Sequence, residues 1–202
     1  MNVISREAGA EVEIKKSRFI ARILRAPATE AAQALVRQIR DERRDASHHA
    51  WAWRIGPGAE QARTSDDGEP SGTAGPPILR ILTRRELTNV LCVVTRYFGG
   101  IKLGAGGLTR AYGDAAKAAV DASRPRPLRW LAAFRVELPH SVLQPFEHYL
   151  AKQGIEVVSR EFRDIAVLIV RVPVEQEAAF LSFHLGLVSG RHPCQALGRE
   201  YS

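Results

Sequence analysis

The segment from Val90 to Tyr112 limits what this chain can become more than any other. It opens with a short apolar run, Val90 to Val94, rich in β-branched residues, which predicts a buried strand. Five glycines follow, at positions 99, 100, 104, 106 and 107. Such density calls for tight turns with positive φ, or for backbone that something approaches closely. From Leu108 the pattern turns helical, with Leu108, Ala111 or Tyr112, Ala115, and Ala118 or Ala119 on one face. Strand, glycine loop and helix in that order aim backbone N–H groups and the positive end of a helix dipole at an anion. Arg96, Gly99, Gly100, Lys102, Gly104, Gly106, Gly107, Thr109 and Arg110 are therefore the candidate anion- or nucleic-acid-binding residues. The competing reading is that the glycines only let an alanine-rich helix lie close on the sheet.

Two nucleotide motifs fail here. A Walker A loop needs Gly-x4-Gly-Lys-Ser/Thr, and after Gly104 the chain has Ala105 and Gly106, with neither the lysine nor the hydroxyl. The dinucleotide fingerprint needs a third glycine where Thr109 stands. No named cofactor site results, and no cofactor is expected.

The 202 residues suit one large or two small domains, and 45% hydrophobic with 25% charged content is ordinary for a globular protein. Of the net charge of +7, residues 1–125 hold +6 and residues 126–202 hold +1. A basic excess of this kind is the footprint expected for a polyanion partner, RNA included. Cys92 and Cys194 build neither a disulfide scaffold nor a metal cage. The N-terminus has no leader-like apolar region and no stretch reaches membrane-spanning length, so a cytoplasmic protein is expected.

Residues 10–26 predict two strands, loaded with Lys15, Lys16, Arg18, Arg22 and Arg25. Thr29 is read as the cap of a helix with Ala32, Leu35, Val36 and Ile39 inward. His48 to Ile55 alternates as a strand, with His48 on one face and His49, Trp51 and Trp53 on the other. Neighbouring histidines on a strand diverge, so they cannot share a metal, and no metal site is expected. Residues 61–77 read as a long turn-rich loop. Asp66, Asp67 and Glu69 in it, with Thr73 and the two histidines, form a secondary set of candidates for acid–base or anion-binding roles.

Three blocks carry a resemblance. Ala46 to Trp53, Ser65 to Pro76 and Thr95 to Tyr112 resemble, and follow in the order of, signatures of the YigZ/IMPACT family in its bacterial two-domain form. The resemblance covers roughly the first 120 residues. It implies an α+β protein whose N-terminal domain, residues 1–122, is ribosomal-protein-S5-domain-2-like. It also implies a link to translation, since the family's eukaryotic members regulate it. The family usually has a cysteine where this chain has Ala50, which argues against required thiol chemistry there.

Residues 123–127, with Pro125 and Pro127, read as an interdomain linker. Residues 128–202 then give strand, helix, two strands, helix and strand, a ferredoxin-like order. Its central strand, Ile165 to Val172, lacks the aromatics with which an RNA-recognition module stacks bases. The resemblance implies the elongation-factor-G-like version of this fold. The expected function is that of a non-enzymatic, translation-associated factor binding RNA, the ribosome or a ribosome-bound protein through the basic N-terminal domain. A phosphate- or nucleotide-handling enzyme using Asp66, Asp67, Glu69, His48 and His49 is the alternative, and a plain protein–protein adaptor the third.

Overall fold

The computed structural model describes residues 1–201. Ser202, the last residue of the expected second domain, lies outside them. The chain divides into two compact units, the first ending at Pro127 and the second beginning at Leu128.

In the N-terminal unit, β2 (Ala8–Ile14), β3 (Ser17–Arg25), β4 (His48–Ile55), β5 (Gln61–Ser65) and β6 (Val90–Tyr97) form one antiparallel sheet in the order β2-β3-β6-β4-β5. The sheet is covered on both faces, which is why β6 is buried almost throughout and reads as a continuous apolar run. One face packs on α1 (Thr29–Glu42) through Ala32, Val36, Ile39, Trp53, Leu91 and Val93. The other packs on α2 (Gly75–Arg84) and α3 (Ala105–Ala122). Alanines 111, 115, 116 and 119 let α3 lie close, and Tyr112 meets Phe19 edge-on with ring centroids 5.2 Å apart.

Four expectations change. Gln61–Ser65 is an edge strand inside the segment read as loop. Thr29 opens α1 rather than capping it; its hydroxyl donates to Glu30 at 2.9 Å, and Ala28 holds the cap position. Gly106 and Gly107 belong to the first turn of α3, not to a loop before it, and neither has positive φ. Residues 123–127 are no free linker: β7 (Pro125–Pro127) pairs with β1 (Asn2–Ile4), and the Ser5 and Arg6 N–H groups donate to the carbonyls of Arg124 and Ser123.

The second unit is α+β as well, with β8 (Trp130–Leu138), α4 (His140–Gln153), β9 (Glu156–Phe162), β10 (Ala166–Pro173), α5 (Glu177–Val188) and β11 (Cys194–Tyr201). Its antiparallel sheet runs β11-β8-β10-β9, the ferredoxin-like order. Alternate residues of β8 and β10 pack under α4 and α5 around Phe134, Phe146 and Phe180. Gly154 at φ 67 ends α4 in the left-handed conformation that favours glycine. Among the described residues no helix is long and apolar enough to cross a membrane.

Candidate functional site

Three neighbouring strands set one row of side chains on the α3 face. Phe19 of β3 stands opposite Arg96 of β6, which stands opposite His48 of β4. The next row, Ile20, Thr95 and His49, falls on the α1 face by strand alternation. There His49 Nδ1 lies 3.1 Å from Thr95 Oγ1, and burial pushes its imidazole below the ordinary range. The two adjacent histidines therefore occupy different environments.

Arg96 is only 5% exposed, and its charge is met by the buried Glu69. Glu69 Oε1 accepts from Arg96 Nη1 at 2.6 Å and from the Tyr112 hydroxyl at 2.7 Å. Burial, together with donation to Glu69, pushes the Tyr112 phenol up. The guanidinium is held between two rings, 5.5 Å from the centroid of Phe19 and 5.5 Å from that of Phe98. Its Nε is buried and has no hydrogen-bond partner among the described residues. His48 donates from Nδ1 to the Asp67 carbonyl at 2.8 Å, since a carbonyl only accepts; this leaves Nε2 toward Glu69 at 4.0 Å.

A cleft of about 390 Å³ opens over this row. His48, Glu69, Arg96 and Lys102 supply its polar groups, and Pro70, Phe98, Leu103 and Leu108 its apolar walls. The N-terminus of α3 borders it through Gly104 and Ala105. Gly104, at φ 73, holds the cap position with no side-chain hydrogen bond, and no acid stands in the first turn. The first hydrogen bond closing the helix is from the Leu108 N–H to the Gly104 carbonyl, so the N–H groups of residues 105–107 have no acceptor within the helix. Phe98, 51% exposed, adds an aromatic face at the rim.

The remaining candidates are distributed as follows. Gly100, at φ 83, makes a turn that glycine favours. Gly99 is needed for close approach: an added Cβ would lie 2.0 Å from the Lys16 carbonyl carbon. Gly107 faces Leu103. Thr109 turns its hydroxyl back to the Ala105 carbonyl at 3.0 Å, and Arg110 is exposed but does not line the cleft. Asp66 accepts from the N–H groups of Gly72, Ala74 and Gly75 at 2.8–2.9 Å. Burial would raise its carboxyl, but those three donors outweigh it and hold the group below its ordinary value. Asp67 pairs with Arg40 and accepts from the His49 N–H at 2.6 Å. Thr73 donates to the Pro70 carbonyl at 2.6 Å. Of the secondary set, His48 and Glu69 alone line the cleft.

Sequence reasoning did not single out Phe98 or the hydroxyl of Tyr112. Phe98 carried a signal: an aromatic between a strand end and a glycine pair has little to cover it. Among the described residues no three His, Cys, Asp or Glu side chains gather into a metal-binding group.

With this geometry in view, residues 15–120 match the Impact N-terminal domain. The chain belongs to the IMPACT family. Residues 136–183 match a domain of unknown function, DUF1949, so both units of this IMPACT family protein have counterparts. The IMPACT family member YigZ of Escherichia coli is 36% identical over 170 residues, 83% of each chain. An IMPACT family member of Haemophilus influenzae is 36% identical over 93% of this chain and 92% of that one. YvyE of Bacillus subtilis is 50% identical over 109 residues, a match that spans half of that protein. Among solved structures, one titled as the crystal structure of a hypothetical protein aligns with a TM-score of 0.61 at 32% identity, covering 97% of this chain and 96% of that one.

Proposed function

We propose that this IMPACT family protein is a non-enzymatic, translation-associated factor that binds single-stranded RNA at the α3 cleft. The observation that carries the reading is the uncapped N-terminus of α3, opening beside Lys102 and over Arg96, whose buried Nε has no hydrogen-bond partner among the described residues. N–H groups without an acceptor in the helix, a helix dipole and the Lys102 ammonium suit a phosphate, the Arg96 charge being met by Glu69. Phe98 offers a ring on which a base can stack, and stacking beside a cationic groove is how single strands are held. The basic excess of residues 1–125 supports a polyanion, and the link to translation comes from the family alone.

A phosphate-handling enzyme is the second reading, favoured by His48 Nε2 and Glu69 lying 4.0 Å apart in the same cleft. Asp66 and Asp67 are engaged with backbone groups and Arg40, which leaves that reading two acid–base residues.

Binding of a fluorescent oligouridylate across several salt concentrations tests the proposal. Lys102→Ala should reduce the log–log salt slope by about 0.7, one single-strand phosphate contact. Phe98→Ala should weaken binding by about 1–3 kcal/mol. Arg110, outside the cleft, is the control. Unchanged binding in both cleft variants overturns the reading, and wild-type turnover of a phosphate ester that is lost in His48→Ala favours the enzyme.

A further inference from the structure

We infer that Lys15 and Lys16, at the tip of the β2–β3 turn, are a second phosphate-binding element of the same site, kept in a backbone conformation that lowers stability. The inference rests on the reading of the α3 cleft as an RNA site. Ile14 pairs with Ser17, so the loop between the strands is only Lys15 and Lys16. Both have positive φ, 46° and 63°. A two-residue hairpin loop with positive φ at both positions is the type I′ turn, which selects Asn-Gly. Lysine brings a Cβ into the left-handed region and has no short polar side chain to relieve it locally. Two lysines in succession therefore need a reason other than the turn.

Charge supplies one. The other cations of the hairpin are already engaged: Arg18 pairs with Glu11 at 2.7 Å, Arg22 with Glu42 at 2.9 Å, and Arg25 donates to the Ser5 carbonyl at 2.7 Å. Lys15 and Lys16 are exposed and form no ion pair among the described residues. Edge protection does not account for them, because they sit at the turn and not along β2, the edge strand. The chain also uses lysine sparingly, five against 24 arginines, and three of the five are Lys15, Lys16 and Lys102.

Position supplies the second reason. The Gly99 N–H donates to Ser17 Oγ at 3.1 Å, and Gly99 has no room for a Cβ against the Lys16 backbone. The lysine tip is thereby fixed beside the Gly99–Gly100 segment, whose other end leads to Lys102 and α3. We take a single strand with one phosphate at the start of α3 to continue along that segment toward this tip. Lysine suits that task as a point charge on a flexible stem, which neutralises phosphate without reading bases.

The test uses the full chain with two double variants. Lys15→Asn with Lys16→Gly should melt about 2–4 °C higher, because the turn gains its preferred residues. The same variant should bind oligouridylate with a log–log salt slope shallower by about 1.4, two contacts of 0.7. Lys15→Arg with Lys16→Arg should keep the wild-type slope and melting temperature. An unchanged slope in the Asn-Gly variant, with Lys102→Ala still reducing it, overturns the turn and leaves the cleft standing. No salt-dependent binding by the wild type overturns both. An Asn-Gly variant that melts at or below wild type overturns the stability half of the inference.

Discussion

Two passages of the N-terminal unit take a strand into a helix through glycines, and they finish differently. Between β5 and α2, Asp66 reaches the N–H groups of Ala74 and Gly75, so the helix start is closed by the chain's own carboxylate. Between β6 and α3 no acid is supplied, and the helix start faces a cleft with Lys102. Each passage also has one glycine that the fold needs for close approach: Gly75 against the Ser65 backbone, where a Cβ would come within 2.9 Å, and Gly99 against Lys16. The shared materials are structural. The missing carboxylate is what separates the two, and it is why the proposed anion site lies at α3 and not at α2.

The largest expected effect comes from opening the closed end. Asp66→Ala removes the acceptor of three charge-assisted hydrogen bonds and should destabilise the protein by about 2 kcal/mol or more in urea unfolding. Because the folded-state carboxyl lies below its ordinary 3.8, its contribution is present above that value and lost as pH falls through the folded pKa. Wild-type and variant stabilities should therefore converge below pH 3.8, whereas curves that stay parallel at every pH would show that the carboxylate is not the stabilising group.

Closing the open end is the reverse experiment. Ala105→Glu places an acid in the first turn of α3, which should stabilise the helix by about 0.5 kcal/mol and weaken oligouridylate binding at least about tenfold. Undiminished binding would show that the anion does not sit at this helix end. The smallest effect is expected at Gly106, where an added Cβ meets nothing within 4 Å and φ is not positive. Gly106→Ala should stabilise by about 0.5 kcal/mol or slightly more and leave affinity unchanged. A loss of stability would mean that this first turn is held in some other conformation.

Much of this was legible. The apolar run of β6, the alanine face of α3, the divergence of His48 and His49, and the order of the second unit follow from period and burial alone. What escaped had weak local signals. β5, Gln-Ala-Arg-Thr-Ser, is a polar edge strand with no apolar alternation. β1 and β7 are three residues each, too short for a period. Gly106 and Gly107 enter the helix because first-turn residues need no N–H partner within it. The site itself was the least legible part. Glu69 meets Arg96 and Tyr112 from 27 and 43 positions away, a convergence that depends on the sheet register and on how α3 lies across it.

The pairing of Asn2–Ile4 with Pro125–Pro127 has a kinetic consequence. A chain made from its N-terminus exposes its first strand long before the partner exists. Asn2 finds a first partner at Leu87, where its N–H donates to the Glu86 carbonyl and its carbonyl accepts from the Thr88 N–H, but the rest of β1 waits until β6 and α3 have been made. The pairing of β1 with β7 then closes a loop of more than a hundred residues, and the entropy of such closure grows only slowly with length. Residues 2–4 are thus secured from two places, and the second unit begins directly after the later of them.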